Sequence, residues 1–163
     1  MLVKGIIDED FVNYKKPCMT IMFPKCDFKC DKECGIPVCQ NSELVKQKNI
    51  EIDEYVLARR YLNNPITHAI CMQGLEPFDS FPELHYFIVI LRDLYYCDDP
   101  IIIYTGYNKE EVKYKIDILS YYSDIGKNII IKYGRYIPNQ QPHYDEVLGV
   151  MLASDNQYAE RIS

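Results

Sequence analysis

Thr67-His-Ala-Ile-Cys-Met72-Gln-Gly74-Leu75-Glu76-Pro77-Phe-Asp-Ser80-Phe-Pro-Glu83-Leu84 is the stretch whose reading decides the fold. Residues 67–72 are a short apolar run ending in a turn, the mark of a buried strand. Ser80 with Glu83 three residues later has the form of a capping box. Leu84, Ile88, Leu91 and Tyr95 then recur on one face of the helix it opens. The unit repeats outward on both sides. Upstream, Cys18-Met-Thr-Ile-Met-Phe-Pro24 predicts a strand, and residues 53–62 a helix closed by Asn63-Asn64-Pro65. Downstream, Pro100 to Thr105 predicts a third strand. Asn108 and Glu111 cap a helix with Val112, Ile116 and Leu119 as its buried stripe, and Asn128 to Tyr133 predicts a fourth strand. A polar loop over 139–146 precedes a last apolar strand, Val147 to Leu152. Strands alternating with helices across short connections predict right-handed βαβ units and a mostly parallel sheet, hence the α/β class. In such sheets chemistry gathers on the loops that leave the carboxyl ends of the strands.

The bulk numbers restrict the function. The chain has 163 residues, 48% of them apolar and 26% charged, which predicts one globular domain over 1–163. Its formal net charge of −6, with no dense Lys/Arg run, argues against nucleic acid as a partner. No apolar run is long enough to span a bilayer, and the opening residues lack a signal-peptide core. A cytoplasmic protein with no membrane partner is the expectation.

Seven cysteines is an odd number, so a fully paired disulfide framework within one chain is excluded. Cys18, Cys71 and Cys97 sit in apolar segments and read as small buried hydrophobes. The other four lie together in Cys26-Asp-Phe-Lys-Cys30-Asp-Lys-Glu-Cys34-Gly-Ile-Pro-Val-Cys39, directly after the first predicted strand. Thiolates that dense hold a metal or a cluster, and spacing alone leaves structural zinc and iron–sulfur both open.

Cys26-x-x-x-Cys30, a later cysteine followed by Gln40-Asn41, and Gly74-Leu75-Glu76-Pro77 after a strand together resemble the radical S-adenosylmethionine superfamily. There, three cysteines in a CxxxCxxC arrangement hold a [4Fe–4S] cluster, and a Gly-Gly-Glu-Pro turn holds the methionyl amino group. This chain departs from the pattern, because neither Cys34 nor Cys39 stands three residues after Cys30, and Leu75 replaces the second glycine. Cys39 is the expected third ligand and Cys34 the alternative. Val38, preceding Cys39, is in the position that packs against the adenine. Tyr104-Thr105-Gly106-Tyr107, Gly134-Arg135-Tyr136 and Ala153-Ser154-Asp155-Asn156-Gln157 further resemble the activating proteins of anaerobic ribonucleotide reductase. The resemblance covers about residues 18–162. It implies a partial (β/α) barrel with one cluster at 26–39 and S-adenosylmethionine as second cofactor. It also implies a one-electron donor such as flavodoxin, and a partner ribonucleotide reductase whose glycine loses a hydrogen atom.

Other residues carry two readings each. Phe28 shields the cluster or anchors its loop. Thr105 and Asn156 contact the cofactor or order their turns. Arg135 meets an anion of the ligand or a carboxylate of its own chain. His68, His85 and His143 are scattered and read as non-ligands, and the tyrosine pairs Tyr95-Tyr96 and Tyr121-Tyr122 read as packing. Two other functions are consistent with the same residues: a radical S-adenosylmethionine enzyme acting on a small molecule, such as a deazapurine-forming synthase, and a zinc-bearing interaction module without catalysis.

Overall fold

The computed structural model describes residues 1–121 and 127–162; Tyr122 of the second tyrosine pair lies outside them. In chain order the strands are β1 (Leu2–Val3), β2 (Gly5–Asp10), β3 (Cys18–Phe23), β4 (Ile50–Glu51), β5 (Ile70–Gly74), β6 (Ile101–Tyr104), β7 (Ile129–Tyr133), β8 (His143–Asp145), β9 (Val150–Leu152) and β10 (Tyr158–Arg161). The α-helices are α1 (Lys29–Cys34), α2 (Glu54–Leu62), α3 (Phe81–Val89) and α4 (Lys113–Tyr121).

Six strands form one sheet in the order β10-β7-β6-β5-β3-β2. The four central strands are parallel, with Phe23 opposite Gly74 and Tyr104 opposite Lys132 at their carboxyl ends. The two edges, β2 on β3 and β10 on β7, are antiparallel. The sheet is therefore α/β and mixed, and it does not close on itself. Neither antiparallel edge is apparent in the sequence pattern, because an edge strand exposes one side and carries charge: β2 reads Gly-Ile-Ile-Asp-Glu-Asp.

Alternation along each central strand divides the core. Met19, Ile21, Ile70, Met72, Ile101, Ile103, Ile129 and Ile131 meet Leu57, Leu84, Phe87, Ile88, Leu91 and Ile116 from the helices. Cys18, Cys71, Ile102 and Ile130 face the opposite way, against Tyr14, Leu148 and Leu152. Helices α2, α3 and α4 thus cover one face, and loop and hairpin cover the other.

Local chemistry explains where the strands and helices begin. Asp53 caps α2 by accepting from the Val56 N–H at 3.0 Å. Asn108 and Glu111 form the expected capping box ahead of α4. The capping box expected at Ser80 does not form. Ser80 makes no side-chain cap, and its hydroxyl is buried without a partner. The chain already turns helical at Pro77, in a short 3₁₀ segment that Glu76 caps by accepting from the Phe78 N–H at 3.1 Å. Strand β5 starts at Ile70 rather than at Thr67. The last apolar run shortens to β9, which pairs with β8 in a separate hairpin, and β10 takes the sheet edge. Among the described residues no helix is long and apolar enough to cross a membrane.

Candidate functional site

The loops leaving β3, β5, β6 and β7 meet around a cavity of about 540 Å³ at the carboxyl edge of the parallel strands. Cys26, Cys30 and Cys39 all line it, as do Asn41, Gly74, Leu75, Glu76 and Thr105. Cys34 does not. It lines a smaller cavity of about 310 Å³ next door, with Arg135 and Asn156. Val38 and Phe28 line neither.

The cysteine loop is shaped by polar ties rather than by packing. Phe28, in the left-handed conformation at φ 55°, turns the chain into α1, and its N–H donates to the Cys26 sulfur at 3.3 Å. Asp31 reaches forward to accept from the N–H groups of Val38 and Cys39, both at 2.8 Å. That carboxylate folds the second half of the loop back and brings Cys39 beside Cys30. Asn41 then donates to the Gly74 carbonyl at 2.8 Å, joining the loop to the β5 turn. Burial pushes the Cys26 thiol up to about 12, with the Phe28 N–H opposing it. Burial and the neighbouring Cys39 push Cys30 up to about 11. Both thiols therefore hold their protons at neutral pH until a cation displaces them.

The Gly74 turn has no room for a side chain. Its φ is +95°, and a Cβ there would stand 2.9 Å from the Met22 Cα. Pro77 is buried and opens the 3₁₀ segment, and Leu75 is 8% exposed. Glu76 is 5% exposed and accepts three hydrogen bonds: Thr105 Oγ1 at 2.8 Å, the Gly106 N–H at 2.9 Å and the Phe78 N–H. Its carboxylate ties the β5 turn to the β6 turn. Burial pushes it up to about 7, against those three donors. Thr105 also accepts from the Tyr107 N–H at 3.0 Å, so its hydroxyl is occupied by the turn.

Arg135 makes a fork to Glu111, at 2.9 and 2.7 Å, and a looser pair with Glu33 at 3.4 Å. It holds Glu111 down at about 2. Asn156 donates to the Arg135 carbonyl at 2.9 Å, and its own carbonyl oxygen is buried without a partner. Gln157 braces the same loop, accepting from Ala153 and Ser154 and donating to Gly134.

Two members of the site were not read from the sequence. Lys132, on β7, lines the cavity at 7% exposure. Its signal was available, as a charge inside the run Ile-Ile-Ile-Lys-Tyr. Asp31 offered no such signal, since an acidic residue in a polar loop is ordinary.

Among the described residues no three cysteine sulfurs lie within 4.8 Å of one another. Thiolates sharing one tetrahedral zinc at about 2.3 Å stand roughly 4 Å apart. The only ligand group that tight among the described residues is Cys26 with Asp27 and Asp79. The donor set at the cavity is three thiols with a polar, glycine-bearing turn beside them. Its chemistry fits a thiolate-held cluster with room next to it for a small ligand. Comparison of the chain with protein-family models, with curated proteins and with solved structures finds no match.

Proposed function

We propose that the chain is a radical S-adenosylmethionine activase, a partial (β/α) barrel whose target is a glycine of an anaerobic ribonucleotide reductase. The observation that carries the reading is the convergence of Cys26, Cys30 and Cys39 with the Gly74–Glu76 turn on one cavity. The one-sided placement of the helices on an unclosed sheet supports the barrel. When bound and reduced by a one-electron donor such as flavodoxin, a [4Fe–4S] cluster supplies the electron that cleaves S-adenosylmethionine to methionine and a 5′-deoxyadenosyl radical.

The chain's own residues have separate tasks. Cys26, Cys30 and Cys39 supply the thiolates. Gly74 lets backbone come close where a side chain would collide with Met22. Asn41 fixes the direction of the Gly74 carbonyl. Glu76 uses three of the roughly four lone-pair positions of a carboxylate internally, which leaves about one for the ligand's amino group. Its role is then to hold two turns at a fixed separation as much as to bind. Leu75 in place of glycine is accommodated because its side chain is buried.

The test is anaerobic reconstitution with iron and sulfide, followed by dithionite and S-adenosylmethionine. 5′-Deoxyadenosine and methionine are the expected products by mass spectrometry, and a Cys26→Ala variant abolishes both. Retention of zinc with no iron–sulfur absorbance would sink the reading.

A further inference from the structure

Cys26 also belongs to a second set of ligand atoms. Its sulfur and one carboxylate oxygen each from Asp27 and Asp79 lie within 4.8 Å of one another. Donors sharing one tetrahedral ion at about 2.0–2.3 Å stand roughly 3.5 Å apart, so a side-chain shift of about 1 Å closes the set. Asp27 follows β3, and Asp79 lies in the 3₁₀ segment after β5. The sheet, and not the order of the chain, therefore brings the second carboxylate to the thiol. Each carboxylate is held through one oxygen: Asp27 accepts from the Lys29 N–H at 3.1 Å, and Asp79 from the Tyr107 hydroxyl at 2.7 Å. Metal-ligating carboxylates are oriented in this way by hydrogen bonds from behind. Among the described residues neither aspartate has an ion-pair partner. Lys29 is drawn off to Glu111 at 3.3 Å and stands over the Tyr107 ring at 4.5 Å. Lys115 donates to the Phe78 carbonyl at 2.7 Å. Two like charges brought together from separate loops repel, and a cation between them removes that cost.

We propose that Cys26, Asp27 and Asp79 form a mononuclear site for a divalent ion of the zinc or iron(II) type. One thiolate with two carboxylates suits such a borderline ion, whereas calcium and magnesium take oxygen ligands. Three protein ligands leave the fourth tetrahedral position to water. Binding releases the Cys26 proton to solvent. The site stands independently of the function proposed above, and one consequence rests on that function. Cys26 cannot serve this ion and a cluster together, so an ion here blocks cluster loading.

The experiment titrates the reduced, metal-free full chain with cobalt(II) under anaerobic conditions, because thiolate charge-transfer and d–d bands report its ligands. Wild type is expected to take a single tetrahedral ion that zinc displaces. The double variant Asp27→Asn, Asp79→Asn should bind it about tenfold or more weakly. The double variant Cys30→Ala, Cys39→Ala should keep the affinity and a one-thiolate band. Wild-type affinity in the aspartate variant, or loss of binding in the Cys30, Cys39 variant, overturns the site by placing the ion on the cysteines. Asparagine keeps an oxygen for Tyr107 and for the Lys29 N–H, so the metal-free melting temperature should hold. If it falls, the single variant Asp27→Asn replaces the double one, and unchanged affinity there overturns the site. Blocking is read separately, as iron–sulfur absorbance after reconstitution with and without zinc. Zinc should suppress the cluster in wild type and much less in the aspartate variant; equal suppression overturns the blocking. No cluster in zinc-free wild type overturns the proposed function and leaves the ion site to the cobalt result.

Discussion

Cys34 and Cys39 are chemically identical and five residues apart, yet they face different cavities. The sequence favours Cys39 as third ligand through Gln40-Asn41 and through Val38, with Cys34 as the alternative. Asp31, whose carboxylate folds Cys39 back beside Cys30, sets Cys39 and not Cys34 on the cavity that Cys26 lines, which supports Cys39 in the proposed function. Cys39→Ala should therefore lower bound iron and sulfide after reconstitution to under half of wild type, whereas Cys34→Ala should retain nearly all of it; colorimetric iron and sulfide assays check this. Glu76 gives a pH signature. Its folded pKa of about 7 lies above the usual carboxylate value of 4.5, so the folded chain keeps a proton that the unfolded chain releases. That stabilisation is complete below pH 4.5 and is lost as pH rises through 7. It amounts to about 3 kcal/mol across the window. Urea unfolding of the metal-free protein at several pH values should show this decline, and Glu76→Gln should flatten it. At this scale the thiols are legible from their density, and Gly74, Glu76 and Asn41 from the resemblance that their motifs carry. Thr105, read both ways, orders its turn through Glu76 and Tyr107 and also lines the cavity. Val38 was expected at the ligand but lies outside the cavity lining, since which way a loop side chain points depends on ties such as Asp31 that have no pattern.

The elements that read clearly were those with strong periodicity or caps. Strands β3, β6 and β7 and helices α2 and α4 begin within a residue or so of their expected starts, apart from a first 3₁₀ turn on α4. The short elements α1, β1, β4 and β8 did not read at all, because six residues or fewer contain too little of any period. The Ser80 box failed for an instructive reason: Glu76 and Pro77 had already turned the chain four residues earlier. A cap motif predicts a helix start only where nothing upstream has begun one. One tight backbone constraint lies at the end of β5. Gly74→Ala would force a Cβ to within 2.9 Å of Met22 and place alanine at φ +95°. A loss of about 2 kcal/mol or more is expected from equilibrium urea unfolding, and reconstituted iron content should fall with it, because Asn41 anchors the cysteine loop on the Gly74 carbonyl.

The molecule as a whole divides into a packed sheet and a loosely held margin. Nearly all fully buried large side chains, among them Phe23, Phe87, Leu57, Tyr61 and Tyr133, belong to the sheet and to helices α2 and α3. Helix α1 buries no side chain, and neither does the 3₁₀ turn over Ser42–Lys46. Opening this margin exposes little apolar surface and leaves the core untouched. Native-state hydrogen exchange should find the amides of residues 25–47 exchanging orders of magnitude faster than those of β5, β6 and β7; equal protection would show that the margin and the sheet unfold as one. This division into core and margin was not legible in the sequence, where the cysteine stretch looks like the centre of the protein. In the proposed function it is central to the chemistry, and in the fold it is peripheral to the packing.

The Asp31 tie and the Asn41 bridge have a consequence for how such a protein matures. The first is two hydrogen bonds and the second one, all at the margin of a finished sheet, and β3 pairs with β5 through its own backbone without them. The chain can therefore leave the ribosome, complete its core and wait. Under the proposed function, a carrier that delivers metal and sulfide would meet a folded client with a pliable rim, rather than a nascent chain whose folding depends on the cargo. On the same proposal, loss of that cargo by oxidation would leave the core intact and open to refilling.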